Sequence, residues 1–196
     1  MKNRVVTVER DTKETQITMT FNLDGGGKCD CSTGIGFFDH MLCGFAKHGL
    51  FDLTLQCKGD LQVDTHHSIE DIGIVLGEAI KAAVGDKKGI KRYGHFILPM
   101  DETLILCALD LSGRPCYVSD VRYTAERIGE LETEMFAEFF YAISYSAAMN
   151  LHFKKISGEN NHHIAEACFK AFAKALDMAT SHEPRLQEVW STKGSL

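Results

Sequence analysis

His66-His67-Ser68-Ile69-Glu70, within DTHHSIEDIGIVLGEAIKAA (64–83), and His162-His163-Ile164-Ala165-Glu166, within ENNHHIAEACFKAFAKAL (159–176), are one word written twice. The copies stand 96 residues apart in a chain of 196, which is the spacing of an internal duplication. Each opens an apolar stretch of helical period, with Asp64 and Asn160 placed as N-caps. Residues three and four apart share a helix face, so Glu70 projects beside His66 and His67, and Glu166 beside His162 and His163. Adjacent histidines diverge by about 100° around a helix. One ion would find it hard to use both, so each pair is suited to two neighbouring metal ions, one histidine to each. A single His-His pair is ordinarily surface or cap. The repeat of the pair with a glutamate at the same offset is what points to metal.

The duplication extends outward from these words. Glu14-Thr15-Gln16-Ile17 matches Glu102-Thr103-Leu104-Ile105, and Asn22-Leu23-Asp24-Gly25 matches Asp110-Leu111-Ser112-Gly113, both at an offset of 88. ETQITMTFNLDGGGKCDC and ETLILCALDLSGRPCYVS alternate apolar and polar residues around a Gly-containing turn and read as two β-hairpins. A helical segment follows each, GFFDHMLCGFAKHG and TEMFAEFFYAISYSAAM, then a short strand, LFDLTLQCK and NLHFKKIS, then the His-His helix. The predicted order in each half is strand, strand, helix, strand, helix, with GDKKGIKRYG as the connection. This is an α+β pattern in which two similar sheets carry helices on one face and bury those helices against each other. The expected division is residues 1–88, 89–182 and a C-terminal tail, 183–196.

Composition sets the bounds. Apolar residues are 44% and charged residues 24%, as in ordinary globular chains. A net charge of −6 argues against a nucleic-acid partner. No apolar run approaches the roughly 20 residues of a membrane span, and the polar start KNRVVTVERDTKETQ does not read as a signal peptide. Seven scattered cysteines with no C-x-x-C indicate neither a zinc ribbon nor a disulfide framework. Cys57, Cys107 and Cys168 read as small core residues. The expected location is a reducing, cytoplasmic one.

Two octahedral ions need about twelve donor atoms. The two words supply four histidines and two glutamates, and the preceding helices offer His40, 26 residues before His66, and Glu138, 24 residues before His162. These eight ligands leave positions open for substrate, as in a catalytic site rather than a closed structural one. Imidazole and carboxylate without thiolate suit manganese, iron or zinc. His48, His95, His152 and His182 have no partner motif and read as structural or exposed.

FFDHML (37–42), HHSIEDIG (66–73), DLSGRP (110–115), NNHHIAEACFKAFAKAL (160–176) and STKG (191–194), with RDTKET at 10–15, together resemble the imidazoleglycerol-phosphate dehydratases of histidine biosynthesis. The resemblance runs nearly end to end. It implies two α+β halves, each a four-stranded sheet with helices on one face, of the ribosomal protein S5 domain 2-like kind. It implies two Mn2+ per subunit, held by His40, His66, His67, Glu70, His162, His163 and Glu166. Many members have histidine where this chain has Glu138, a competent hard ligand. It further implies a homo-oligomeric shell of 24 subunits built from trimers, with sites completed across subunits.

The implied reaction removes water from D-erythro-imidazole-glycerol phosphate to give imidazole-acetol phosphate. The carbon that loses its proton is not next to a carbonyl, so ionisation of the substrate's ring between two cations would supply the push. By resemblance Glu14 moves protons beside the substrate, with Asp71 or Glu70 to assist. Arg92, Arg114, Ser191 and Lys193 are the positions that meet substrate, and a guanidinium suits phosphate. Two other readings stay open: a different di-metal enzyme such as a hydrolase, and an S5-like RNA-binding module, which the acidic charge opposes.

Overall fold

A computed structural model describes residues 4–196. The first half contains β1 (Val5–Asp11), β2 (Thr15–Asn22), β3 (Cys29–Ser32), α1 (Gly36–Gly49), β4 (Asp52–Gly59) and α2 (His66–Val84). The second contains β5 (Tyr93–Met100), β6 (Thr103–Asp110), β7 (Cys116–Ser119), a short ribbon of β8 (Arg127–Ile128) and β9 (Leu131–Glu132), α3 (Met135–Ala147), β10 (Asn150–Ser157) and α4 (Asn161–Thr180). The two main sheets have the same order, β1-β2-β4-β3 and β5-β6-β10-β7. This is the expected α+β duplication of four-stranded sheets.

Period-2 alternation makes the sheet faces. In β2, Ile17, Met19 and Phe21 are buried while Gln16 and Thr18 face out; in β6, Ile105, Cys107 and Leu109 are buried. The strand pairing differs from the expected hairpins. β2 pairs antiparallel with β1 and β4, while β3 crosses over to pair in parallel with β4. β7 likewise runs parallel to β10. The true hairpin partner of β2 is β1, whose residues Val6 and Val8 alternate with Thr7 and Glu9 inside a segment that reads as polar overall. β5 supplies the matching strand in the second half.

The helices form the middle of the molecule. α2 lies on β1 and β2 and packs against α3, while α4 lies on β5 and β6 and packs against α1. Each half therefore buries its helices against those of the other, as expected. Glycines permit the closest crossings. A Cβ on Gly73 would stand 2.8 Å from Ala142 Cβ and 2.9 Å from the Phe139 carbonyl, and one on Gly77 would stand 2.7 Å from Ser146 Cβ. A Cβ on Gly94 would drive β5 into the Ala175 carbonyl on α4. Phenylalanines fill the α1–α4 seam, where Phe45 stacks on Phe172 with centroids 5.5 Å apart and Phe38 meets Phe169 edge-on.

Two local expectations are corrected. Asn160 caps α4, accepting from the N–H groups of His162 and His163. The cap of α2 is instead Thr65, whose hydroxyl donates to Glu132; Asp64 sits one residue further out and accepts from the His66 N–H. The chain also has a disulfide, between Cys29 on β3 and Cys43 on α1, with Cα atoms 5.3 Å apart. α1 crosses β3 and brings the two together, a tertiary juxtaposition that spacing along the chain does not reveal. Among the described residues no helix is long and apolar enough to cross a membrane.

Candidate metal and substrate site

The N-terminal turns of α1 and α4 converge on one cluster. His40 comes from α1, and His162 and Glu166 from successive turns of α4. The Glu166 carboxylate lies 3.1 Å from His162 Nε2 and 3.7 Å from His40 Nε2. One donor atom from each residue fits within a common 4.8 Å span. The Glu166 side chain is only 12% exposed, and Lys170, one turn on, lies 2.7 Å from its other oxygen. Burial pushes this carboxyl up, but Lys170 together with His162 and His40 outweighs it and holds the group below its ordinary value. Phe37 packs edge-on against His162 and walls the cluster.

The duplicate positions at the α2–α3 crossing are His66, Glu70 and Glu138. His66 Nε2 is 3.9 Å from Glu70 on α2. Gly73 faces Phe139 and Ala142, and Gly77 faces Ile143. One turn earlier on both helices, Glu70 is therefore level with Met135 and Glu138. Glu138 is half-buried, and its side chain makes no hydrogen bond or ion pair among the described residues. It thus has the place in the second half that His40 has in the first, but it is not drawn into a tight cluster.

His67 and His163 point away from these sets. The ring planes of His66 and His67 stand at 82°, and those of His162 and His163 at 87°. Each outward histidine is gripped at Nδ1 by a carboxylate, His67 by Asp60 at 3.1 Å and His163 by Glu102 at 2.8 Å. These bonds raise both imidazole pKa values above their ordinary range. They also fix the ring and leave Nε2 as the outward donor, the arrangement by which outer carboxylates orient metal-binding histidines. Asp60 and Glu102 were not singled out from the sequence, although Glu102 is the counterpart of Glu14 at the 88-residue offset.

Glu14, in the β1–β2 turn, is half-exposed, with its carboxylate 3.7 Å from His67 Nε2. Asp71 is different. It is buried, and its two oxygens accept from Arg10 Nε at 2.8 Å and from the Thr15 hydroxyl at 2.5 Å. Its carboxylate ties α2 to the first hairpin rather than standing free for proton transfer.

Arg92, Arg114, Ser191 and Lys193 line one concavity of about 350 Å³, with Tyr93 and Trp190. Arg114 reaches only the Ser112 carbonyl, at 3.4 Å, so most of its donors are open. Arg92 is engaged. It forms a fork with Asp110, at 2.6 and 2.9 Å, and donates to the Trp190 carbonyl at 2.7 Å. Arg92 therefore anchors the tail that brings Ser191 and Lys193 to the pocket. Its backbone N–H binds the Ala179 carbonyl, at the far end of α4 from His162. Twenty helical residues span about 30 Å. Within one chain the anion pocket and the His40 cluster are thus too far apart to share a small substrate.

Residues 33–176 match the family model described as imidazoleglycerol-phosphate dehydratase. The chain is 61% identical over 194 residues to the enzyme of that name from Lachnoclostridium phytofermentans, covering 99% of both. It is 56% identical to the one from Acetivibrio thermocellus, covering 99% of this chain and all of that one. A crystal structure of the Staphylococcus aureus dehydratase superposes with a TM-score of 0.83 at 36% identity, covering 91% of this chain and 99% of that one. A Pyrococcus furiosus structure superposes equally well over 96% of this chain. The chain belongs to the imidazoleglycerol-phosphate dehydratase family, hydro-lyases of histidine biosynthesis.

Proposed function

We propose that this chain converts D-erythro-imidazole-glycerol phosphate to imidazole-acetol phosphate plus water, with two Mn2+ per subunit, in a homo-oligomer of 24 subunits built from trimers. The observation that supports this reading is the cluster of His40, His162 and Glu166 at one helix crossing, with His66 beside Glu70 and Glu138 on the paired helix at the duplicate positions of the other. The donors fit the metal. They are imidazole and carboxylate, the choice for a borderline-hard divalent ion, and Asp60 and Glu102 preset the tautomers of His67 and His163. The outward direction of those two histidines, and the separation of pocket from cluster, support completion of each site by a neighbouring subunit.

When bound, the ions would act as Lewis acids that polarise and template the substrate. The protein's own groups do the rest. Arg114, Ser191 and Lys193 hold the phosphate, with Arg92 bracing the tail beneath them. Glu14 takes the proton from the carbon next to the one that loses hydroxide. The departing hydroxyl leaves as water, and the resulting enol takes up a proton on the ring-attached carbon to give the ketone. Glu70 remains with the metal set, and Asp71 holds Arg10 and Thr15 so that the Glu14 turn is placed.

The test is a product assay on metal-stripped protein reconstituted with Mn2+. Appearance of the ketone together with about two equivalents of manganese per chain is expected, one for each diverging histidine of a pair. Full metal content and activity in His163→Ala would sink the ligand assignment. Light scattering with and without a chelator tests the assembly, and an active monomer in Mn2+ would refute the shared site.

A further inference from the structure

Three cysteines converge at a place the dehydration chemistry does not use. Cys29 and Cys31, alternate residues of β3, share one face of the strand, and α1 lays Cys43 across it. The Sγ atoms of all three lie within 4.8 Å of one another, and those of Cys29 and Cys31 are 3.4 Å apart. A cation with metal–sulfur bonds of about 2.3 Å holds its thiolates about 3.8–4.0 Å apart, from tetrahedral to trigonal geometry. The backbone is fixed at this place, since Cys29 and Cys31 pair in parallel register with Leu53 and Leu55 of β4.

We propose that Cys29, Cys31 and Cys43 form a redox-gated thiolate site for one thiophilic d10 cation, zinc with a water as fourth ligand or copper(I) in three-coordination. In the structure Cys29 and Cys43 are joined and Cys31 is free, which is the closed state of the site. Opening it consumes an external reductant: a dithiol hands two electrons and two protons to the disulfide and becomes its own disulfide, or a phosphine with one water becomes phosphine oxide while the water's two protons and the two electrons give two thiols. Binding of a divalent cation then releases three protons as three metal–sulfur bonds form. Soft thiolates select such cations over manganese, so manganese would not occupy this site.

A thiol–disulfide relay through Cys31 is the competing use of the same trio. Burial, with the charges of Asp39 and Asp30, pushes the Cys31 thiol up to about 12, so it is a poor attacking nucleophile at neutral pH. A bound cation removes that obstacle by taking the place of the proton.

Cadmium is a suitable probe, because its sulfur-to-metal charge-transfer absorption is silent for imidazole and carboxylate ligands. Full-length protein is loaded with Mn2+, reduced with a phosphine and titrated with Cd2+. One equivalent per chain should saturate the band. Cys31→Ser should lose most of it, and Cys116→Ser, on β7 and exposed, should keep it. Protein left oxidised should bind none. As a second measurement that needs no variant, cadmium should protect Cys29 and Cys43 of the reduced protein from alkylation while Cys116 reacts. No charge-transfer band in the reduced protein, or an undiminished band in Cys31→Ser, would overturn the proposal. So would unprotected alkylation of Cys29 and Cys43.

Discussion

Replacing Arg92 with alanine separates two roles that sequence resemblance merges. The guanidinium is 10% exposed and the Asp110 carboxylate 20%, and they share two short hydrogen bonds. A third bond holds the Trp190 carbonyl, and the cation lies 4.6 Å above the Tyr93 ring. Alanine leaves Asp110 as a partly buried charge without its partner. Breaking a buried pair in this way costs about 3–5 kcal/mol, and the residual exposure of Asp110 places this case near about 3. Loss of the tail contact adds about 1.5 kcal/mol, the lower value for a hydrogen bond to a charged group. The Ala backbone inherits the same left-handed conformation, φ 64°, so no relief comes from there. At about 2–4 °C per kcal/mol for a chain of this size, Tm should fall by about 9–18 °C. Calorimetry on metal-free protein measures this. Tryptic cleavage at Arg185 and Lys193 should accelerate as the tail comes loose. Arg92→Lys, which cannot form the fork, should recover less than half. An unchanged Tm with weakened substrate binding would refute the strut and make Arg92 a direct phosphate ligand.

Glu14→Gln should lower kcat by about 10²–10⁴, the range for general acid–base catalysis, with substrate affinity, manganese content and particle size unchanged; near-normal turnover would remove Glu14 from proton transfer. Gly73→Ala sets about 1 kcal/mol of helix propensity against overpacking of Ala142 and the Phe139 carbonyl, which costs about 1–3 kcal/mol. A lower urea midpoint is expected, and a higher one would mean the α2–α3 crossing yields freely. Alkaline pH should destabilise the reduced protein. Burial pushes the Cys168 thiol up to about 12 from 9.0, and Cys107 is also raised. The unfolded chain loses these protons first, so stability is complete below about pH 9 and declines as pH rises toward the folded values, by up to about 1.4 kcal/mol per pH unit for each thiol. Urea melts between pH 8 and 11 of protein with Cys168→Ala and Cys107→Ala, which should flatten this slope, provide the check.

The helices and the His-His words were legible because each carries a local signal: apolar period, a capping side chain, and ligand types at fixed offsets. GFFDHMLCGFAKHG matches α1 from end to end, and NLHFKKIS matches β10. Strand pairing was less legible, since nothing local tells β2 that its neighbours are β1 and β4 rather than β3. β1 was hidden because its outward Thr7 and Glu9 make the segment polar on average. The site divides in the same way. His40, His162 and Glu166 could be named from motifs, whereas the grip of Asp60 on His67 and of Glu102 on His163 depends on loops closing over helix ends. Asp71 and Arg92 carried the right residue type for their expected roles, but the structure occupies both with partners that lie 61 and 18 residues away.

Each helix crossing joins one half to the other, α1 to α4 and α3 to α2. If the halves were separate identical chains pairing as a dimer, α1 and α3 would be the same sequence and every change at one ligand set would appear at the other. Fusion into one polypeptide lifts that symmetry. The position that is His40 at one crossing is Glu138 at the other, so the two sets carry different charge and different hardness while sharing one scaffold. A covalent link of eight residues between α2 and β5 thus does more than raise local concentration: it lets the residues at one crossing change without a matching change at the other.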